Sequence, residues 1–152
     1  MRDEDIDEYG DIINPDDHDG GIYTAVDAWD ADPATAKGWC GPIASWDTSG
    51  ITNMFELFYG KRDFNEDISR WNVSNVVTMR SMFYAATSFN GDLSSWNVSN
   101  VVNLECMFAG ATSFTHQLGG AWPTSTADKA YMFDNSPGTF AGKVKDANGT
   151  IE

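Results

Sequence analysis

Between residues 46 and 133 the apolar and polar positions follow one pattern of about 25 residues, written three times and begun a fourth. The units read WDTSGITNMFELFYGKRDFNEDISR, WNVSNVVTMRSMFYAATSFNGDLSS and WNVSNVVNLECMFAGATSFTHQLGGA, and a decayed fourth opens WPTSTADKAYMF. Their tryptophans, Trp46, Trp71, Trp96 and Trp122, recur at intervals of 25, 25 and 26 residues. A fixed period in this range marks a chain that stacks unit on unit, each burying its apolar face only against its neighbours.

In the second unit, Arg70-Trp71-Asn72-Val73 alternates polar and apolar, which predicts a short strand with Trp71 and Val73 inward. Ser74-Asn75 breaks the alternation. Val76, Met79, Met82, Phe83 and Ala86 then follow at helical spacing for about three turns. Phe89 turns inward and Asn90-Gly91-Asp92 returns the chain to the next unit. Repetition of this path aligns the inward positions in columns: Trp46/Trp71/Trp96, Thr48/Val73/Val98, Ile51/Val76/Val101, Met54/Met79/Leu104, Leu57/Met82/Met107, Phe58/Phe83/Phe108, Phe64/Phe89/Phe114 and Ile68/Leu93/Leu118. At roughly 1.5–3 kcal/mol for each large side chain buried, these columns offset the ordering entropy of the units. The expected fold class is an α/β repeat solenoid, leucine-rich-repeat-like, each coil a short parallel β-strand plus a short α-helix, with an N-terminal helical cap. An all-β helix is disfavoured by the helical spacing of the Met-x-x-Met-Phe segment.

Ile22, Val26 and Trp29 predict a capping helix over 22–29. Asp32-Pro33 supplies an N-cap and a proline at the first helical position, opening a second short helix through Ala36. At the other end, Trp122-Pro123 loses a ladder donor, so the fourth unit should end the stack. The organisation read from these signals is an acidic flexible arm at 1–20, a helical cap at 21–42, three full coils and one degenerate coil at 43–140, and a tail at 141–152.

The run Phe89-Asn90-Gly91-Asp92-Leu93-Ser94-Ser95-Trp96-Asn97-Val98-Ser99-Asn100-Val101, followed by Leu104 and Met107-Phe108, resembles the bacterial-surface-protein repeat. This is the BspA-like or DUF285 class of leucine-rich repeats. Tyr23-Thr24-Ala25-Val26-Asp27-Ala28-Trp29 resembles the lead-in of algal and other protist members. The resemblance covers residues 22–133. It implies exposure at a cell surface or outside the cell, adhesion or protein binding, and no catalytic residues.

A length of 152 residues suggests one domain. The net charge of −14 is concentrated in residues 1–32, where twelve acids face Arg2 alone. With no basic stripe to neutralise phosphates, nucleic acid is not an expected partner. No apolar run reaches the length of a membrane span, and MRDEDIDEYG has neither the basic nor the apolar part of a secretory signal. Cys40 and Cys106 fall in different units and are read as free thiols.

Candidate chemistry is sparse, and no enzyme activity, cofactor or metal is expected. Asn14-Pro15-Asp16-Asp17-His18-Asp19-Gly20 fails the EF-hand spacing and reads as a solvated acidic segment. The Asn65-Glu66-Asp67 and Asn90-Gly91-Asp92 turns are expected to bond backbone N–H groups rather than share a cation. Cys106 and His116 have no third orienting residue for nucleophilic catalysis. Asn148 is the one sequon asparagine outside the repeats.

Two faces remain as binding surfaces. On the strand face, Ser45, Arg70 and Ser95 with Asp47, Asn72 and Asn97 form outward polar columns free of structural duty. On the helix face, Phe55, Tyr59 and Tyr84 form an exposed aromatic patch. Repeat proteins bind mostly through their extended strand side, which favours the first. The expected function is a non-enzymatic module binding a protein partner. A structural assembly subunit using the aromatic patch, and a glycan-binding adhesion module using the polar face, are the alternatives.

Overall fold

The repeat is written in the backbone as hydrogen bonds between residues about one unit apart. The computed structural model describes residues 21–145. The arm at 1–20, its acidic cluster and Asn148 lie outside the described residues. Helices α1 (Ile22–Ala31) and α2 (Pro33–Cys40) come first, then a 3-10 turn at Ile43–Ser45. Far along the chain, strands β1 (Gln117–Leu118) and β2 (Thr139–Phe140) pair in parallel, Gln117 opposite Thr139 and Leu118 opposite Phe140.

These elements overturn the expected α/β leucine-rich-repeat-like solenoid. Among the described residues both helices precede the repeats and each strand has two residues, so no unit pairs a β-strand with an α-helix. The segment read as a helix is a run of turns. Met54, Glu56, Phe58 and Gly60 donate their N–H groups to the carbonyls of Thr78, Arg80, Met82 and Tyr84 in the next unit, at 2.7–3.0 Å. Leu57, Tyr59 and Lys61, between them, donate three residues back, to Met54, Glu56 and Phe58. Each amide has one N–H, so none is left for an α-helical bond. A left-handed residue sits at the same place in every unit: Glu56, Ser81, Cys106 and Tyr131, with φ between 55° and 58°. Turns closing over three residues bring side chains inward at the same spacing that a helix does, which is why the apolar pattern misleads.

The predicted strand also fails to form. Trp71–Val73 lies between turns at Ser69-Arg70 and Ser74-Asn75, and the amides of Trp71 and Val76 bond back to Ile68 and Val73. The actual parallel bridges link Asn53 to Thr78, Thr78 to Asn103 and Asn103 to Asp128.

The inward columns are nonetheless buried throughout. Phe58, Phe83, Phe108 and Phe133 stack with centroids 5.2, 5.5 and 5.5 Å apart. Phe64, Phe89 and Phe114 stack beside them at 5.9 and 6.0 Å. Each tryptophan indole reaches back along the stack: Nε1 of Trp71, Trp96 and Trp122 donates to the carbonyl of Ile43 (2.8 Å), Ile68 (3.1 Å) and Leu93 (2.8 Å). A tryptophan at this position therefore supplies both apolar area and the donor that a buried indole needs.

Helix α1 covers the first unit. The Tyr23 hydroxyl donates to the Phe55 carbonyl at 2.6 Å, and Trp29 meets Trp46 edge-on at 5.9 Å. Lys61 pairs with Asp27 at 2.8 Å. Asp32 caps α2 through the Thr35 amide and hydroxyl, and the helix runs four residues past the expected Ala36 before Gly41, at φ 75°, ends it. At the far end Phe140 packs edge-on against Phe133, and Lys145 lies 5.6 Å over the same ring. Its ammonium donates to the carbonyls of Phe133 and Ser136.

Candidate binding surfaces

The six polar residues of the first surface all face solvent, but five of them are engaged in the scaffold. Asp47 Oδ1 accepts from the Ser49 amide (3.0 Å) and hydroxyl (2.6 Å). Asn72 binds Ser74 in the same way at 3.0 and 2.6 Å, and Asn97 binds Ser99 at 3.1 and 2.7 Å. These are side-chain turns of the kind aspartate and asparagine favour. Ser45 Oγ donates to Pro42, and Ser95 Oγ donates to Ser69 in the preceding unit. Only Arg70 extends from this row without a hydrogen bond to the scaffold among the described residues. The expectation that these positions are free of structural duty is therefore corrected for five of the six: Asp47, Asn72 and Asn97 fix turns, and Ser45 and Ser95 bond the backbone.

Asn75 and Asn100 lace neighbouring units together, each Nδ2 donating at 2.7 Å to Ser49 and Ser74 respectively. The Asn65 and Asn90 side chains accept from the amides of Asn90 and Thr115, while Asp67 and Asp92 accept from Ser69 and Ser94. The stacked turn oxygens thus serve backbone donors. Hydrogen bonds from Ser49, Ser69 and Ser94 hold the carboxyls of Asp47, Asp67 and Asp92 below their ordinary pKa.

The second surface lies on the turns rather than on a helix. Tyr59 and Tyr84 stack face to face, centroids 4.9 Å apart and rings within 6° of parallel. They remain 46% and 37% exposed. Phe55 is half-buried, with the Arg80 guanidinium 5.9 Å over its ring and Glu105 4.0 Å beyond. Tyr131, in the turns of the fourth unit, and Val77 and Val102, each just before a bridge residue, are exposed too. Sequence reasoning missed these three. The signal was present: Val77 and Val102 align with Thr52, and Tyr131 aligns with Glu56, Ser81 and Cys106, polar residues that mark outward positions. Between residues 46 and 140 the exposed large apolar side chains among those described are Tyr59, Tyr84 and Tyr131, on turns, and Val77 and Val102, beside the bridges.

Elsewhere, a shallow groove of about 380 Å³ runs between α2 and the turn at Glu66-Asp67, floored by Trp29 and Ile43. Its charged lining, Lys37, Glu66 and Asp67, does not converge on a nucleophile. Cys106 and His116 share no hydrogen bond. The imidazole Nε2 instead meets the Asn90 carbonyl at 2.9 Å, and burial and Glu105 push the Cys106 thiol up in pKa. Neither Cys40 nor Cys106 forms a disulfide. Among the described residues no three His, Cys, Asp or Glu side chains converge as metal ligands, and no helix is long and apolar enough to cross a membrane.

No curated protein and no solved structure matches the chain. The model of one family does, the DUF285 family described as "Mycoplasma protein of unknown function", and it matches residues 28–146. Those residues include α2, the end of α1 with Trp29, all four tryptophans of the repeat and the two surfaces above, and the chain belongs to the DUF285 family.

Proposed function

We propose that this protein is a non-enzymatic interaction module, displayed at a cell surface, whose turn face binds a protein partner. The observation that carries the reading is the stacked, part-exposed pair Tyr59 and Tyr84, with Val77, Val102 and Tyr131 also kept exposed in the following units. Large apolar side chains kept in water over several adjacent units mark contact surfaces, and tyrosine is favoured there because its ring is apolar and its hydroxyl polar. The polar row is less suited, because most of its hydrogen-bonding groups already serve the scaffold. A glycan platform is disfavoured as well, since the two tyrosine faces cover each other.

The test is a partner captured by the whole chain and then titrated against two variants. Tyr59→Ser with Tyr84→Ser should weaken binding at least about tenfold, the effect of losing roughly 1.4 kcal/mol from a central contact. Arg70→Glu with Ser95→Lys should change it little. The reverse result would move the contact to the polar row.

A further inference from the structure

Along the turn segments the backbone hydrogen bonds between units run almost entirely one way. In each of the three interfaces four turn amides of the earlier unit donate to four carbonyls of the later one, and one bond returns along this ladder, from Val77 to Thr52, Val102 to Val77 and Asp128 to Val102; away from it, Thr139 and Ala141 donate back to His116 and Leu118. The ladder is therefore polar, with acceptors toward its N-terminal end and donors toward its C-terminal end. At the first unit the Tyr23 hydroxyl meets the Phe55 carbonyl. At the fourth unit the equivalent donors are the amides of Lys129, Tyr131, Phe133 and Asn135. Among the described residues none of these four N–H groups has an acceptor. Phe133 is only 3% exposed, and an unpaired amide in so buried a residue is uncommon.

The core beside this edge is already closed. Phe140 and Lys145 cover the Phe133 ring. Outside them Tyr131 is 71% exposed and Asn135 is exposed too, so the edge is reachable without opening the apolar interior. We infer that this edge binds an extended segment of another polypeptide, which adds to the ladder by presenting carbonyls on alternate residues to the amides of Lys129, Tyr131, Phe133 and Asn135. Continuity with the existing interfaces identifies the occupant: the same four positions in each preceding unit receive carbonyls at 2.7–3.0 Å. Strand addition at an open sheet edge uses the same main-chain recognition. A second copy of this chain fits poorly. Two such edges would set donors against donors, and on the complementary acceptor edge of a copy the Tyr23 hydroxyl already takes the Phe55 carbonyl.

The edge is separate from the Tyr59–Tyr84 patch, and its test does not depend on that patch. Nitrogen-15-labelled whole chain is mixed with a synthetic peptide, VTMRSMFYAA, copying residues 77–86, whose carbonyls meet the equivalent edge of the first unit. Without peptide, the four edge amides should exchange with solvent at least about tenfold faster than their counterparts at Leu104, Cys106, Phe108 and Gly110. With saturating peptide their exchange should slow to match, and the Tyr59→Ser, Tyr84→Ser variant should respond alike. Amides already as protected as their counterparts, or unchanged by the peptide, would overturn the inference. An equal response to inorganic phosphate alone would also overturn it, by making the edge an anion site.

Discussion

Trp71 offers the sharpest test of how the units hold together, because its ring and its donor can be removed separately. The ring is buried at 3% exposure, lies 6.3 Å from Trp46 and 5.9 Å from Phe58, and sends Nε1 to the Ile43 carbonyl at 2.8 Å. Trp71→Ala removes the ring and the donor together and should destabilise by about 3–5 kcal/mol, the range for a large aromatic deleted from a packed core. Trp71→Phe keeps most of the stacking but leaves the Ile43 carbonyl without its donor. A buried acceptor so orphaned costs about 1–3 kcal/mol, so phenylalanine should fall clearly between wild type and alanine. Equilibrium urea denaturation measures both, with the slope held common so that midpoint shifts report stability. At about 2–4 °C per kcal/mol for a chain of this size, the alanine variant should also melt roughly 6–20 °C lower. A loss below about 1 kcal/mol for Trp71→Ala would refute the reasoning, since no fully packed tryptophan is lost so cheaply.

Two further expectations concern the turns. Asn72→Ala removes the acceptor for the Ser74 amide and hydroxyl and should cost roughly 1 kcal/mol by urea denaturation, whereas Asn72→Asp should be close to neutral at pH 7, because Asp47 makes the same turn. The carboxyls of Asp47, Asp67 and Asp92 are held below their ordinary pKa by the folded turns, so their contribution is fully present above the unfolded carboxylate value, near pH 4, and is lost as pH falls through the lower folded values. A melting-temperature profile should therefore decline on acidification below about pH 4, and the triple change of all three to asparagine should flatten that decline; an unchanged slope would show that these turns carry no proton linkage.

The aromatic ladders and the columns were legible in the sequence because burial follows composition locally. A tryptophan or phenylalanine repeated every 25 residues has no other place to go, and all the columns derived from the repeat are buried. The Asp32-Pro33 boundary was legible for a similar reason, since a capping carboxylate and a fixed proline φ act within one turn of chain. The outward row was also legible as outward. Its structural role was not, although Asp47-Thr48-Ser49, Asn72-Val73-Ser74 and Asn97-Val98-Ser99 share the acceptor-and-serine spacing of a side-chain turn.

What the sequence by itself determined is therefore the period, the identity of the core and the columns of side chains that face inward. Backbone conformation between the tryptophans was decided by tertiary structure. Glutamate, serine, cysteine and tyrosine have no local preference for the left-handed region, which costs them about 1–2 kcal/mol each. Glu56, Ser81, Cys106 and Tyr131 adopt it all the same. For the first three, the conformation accompanies a row of amides donated to carbonyls one unit further along the chain. Gly60, Gly110 and Asn135, at the second left-handed position, were the local hints, but glycine and asparagine there also suit the end of a helix. An apolar spacing of three and four residues fits a helix and a chain of tight turns equally well. The neighbouring unit, by accepting the hydrogen bonds that a helix would have kept to itself, selects the turns.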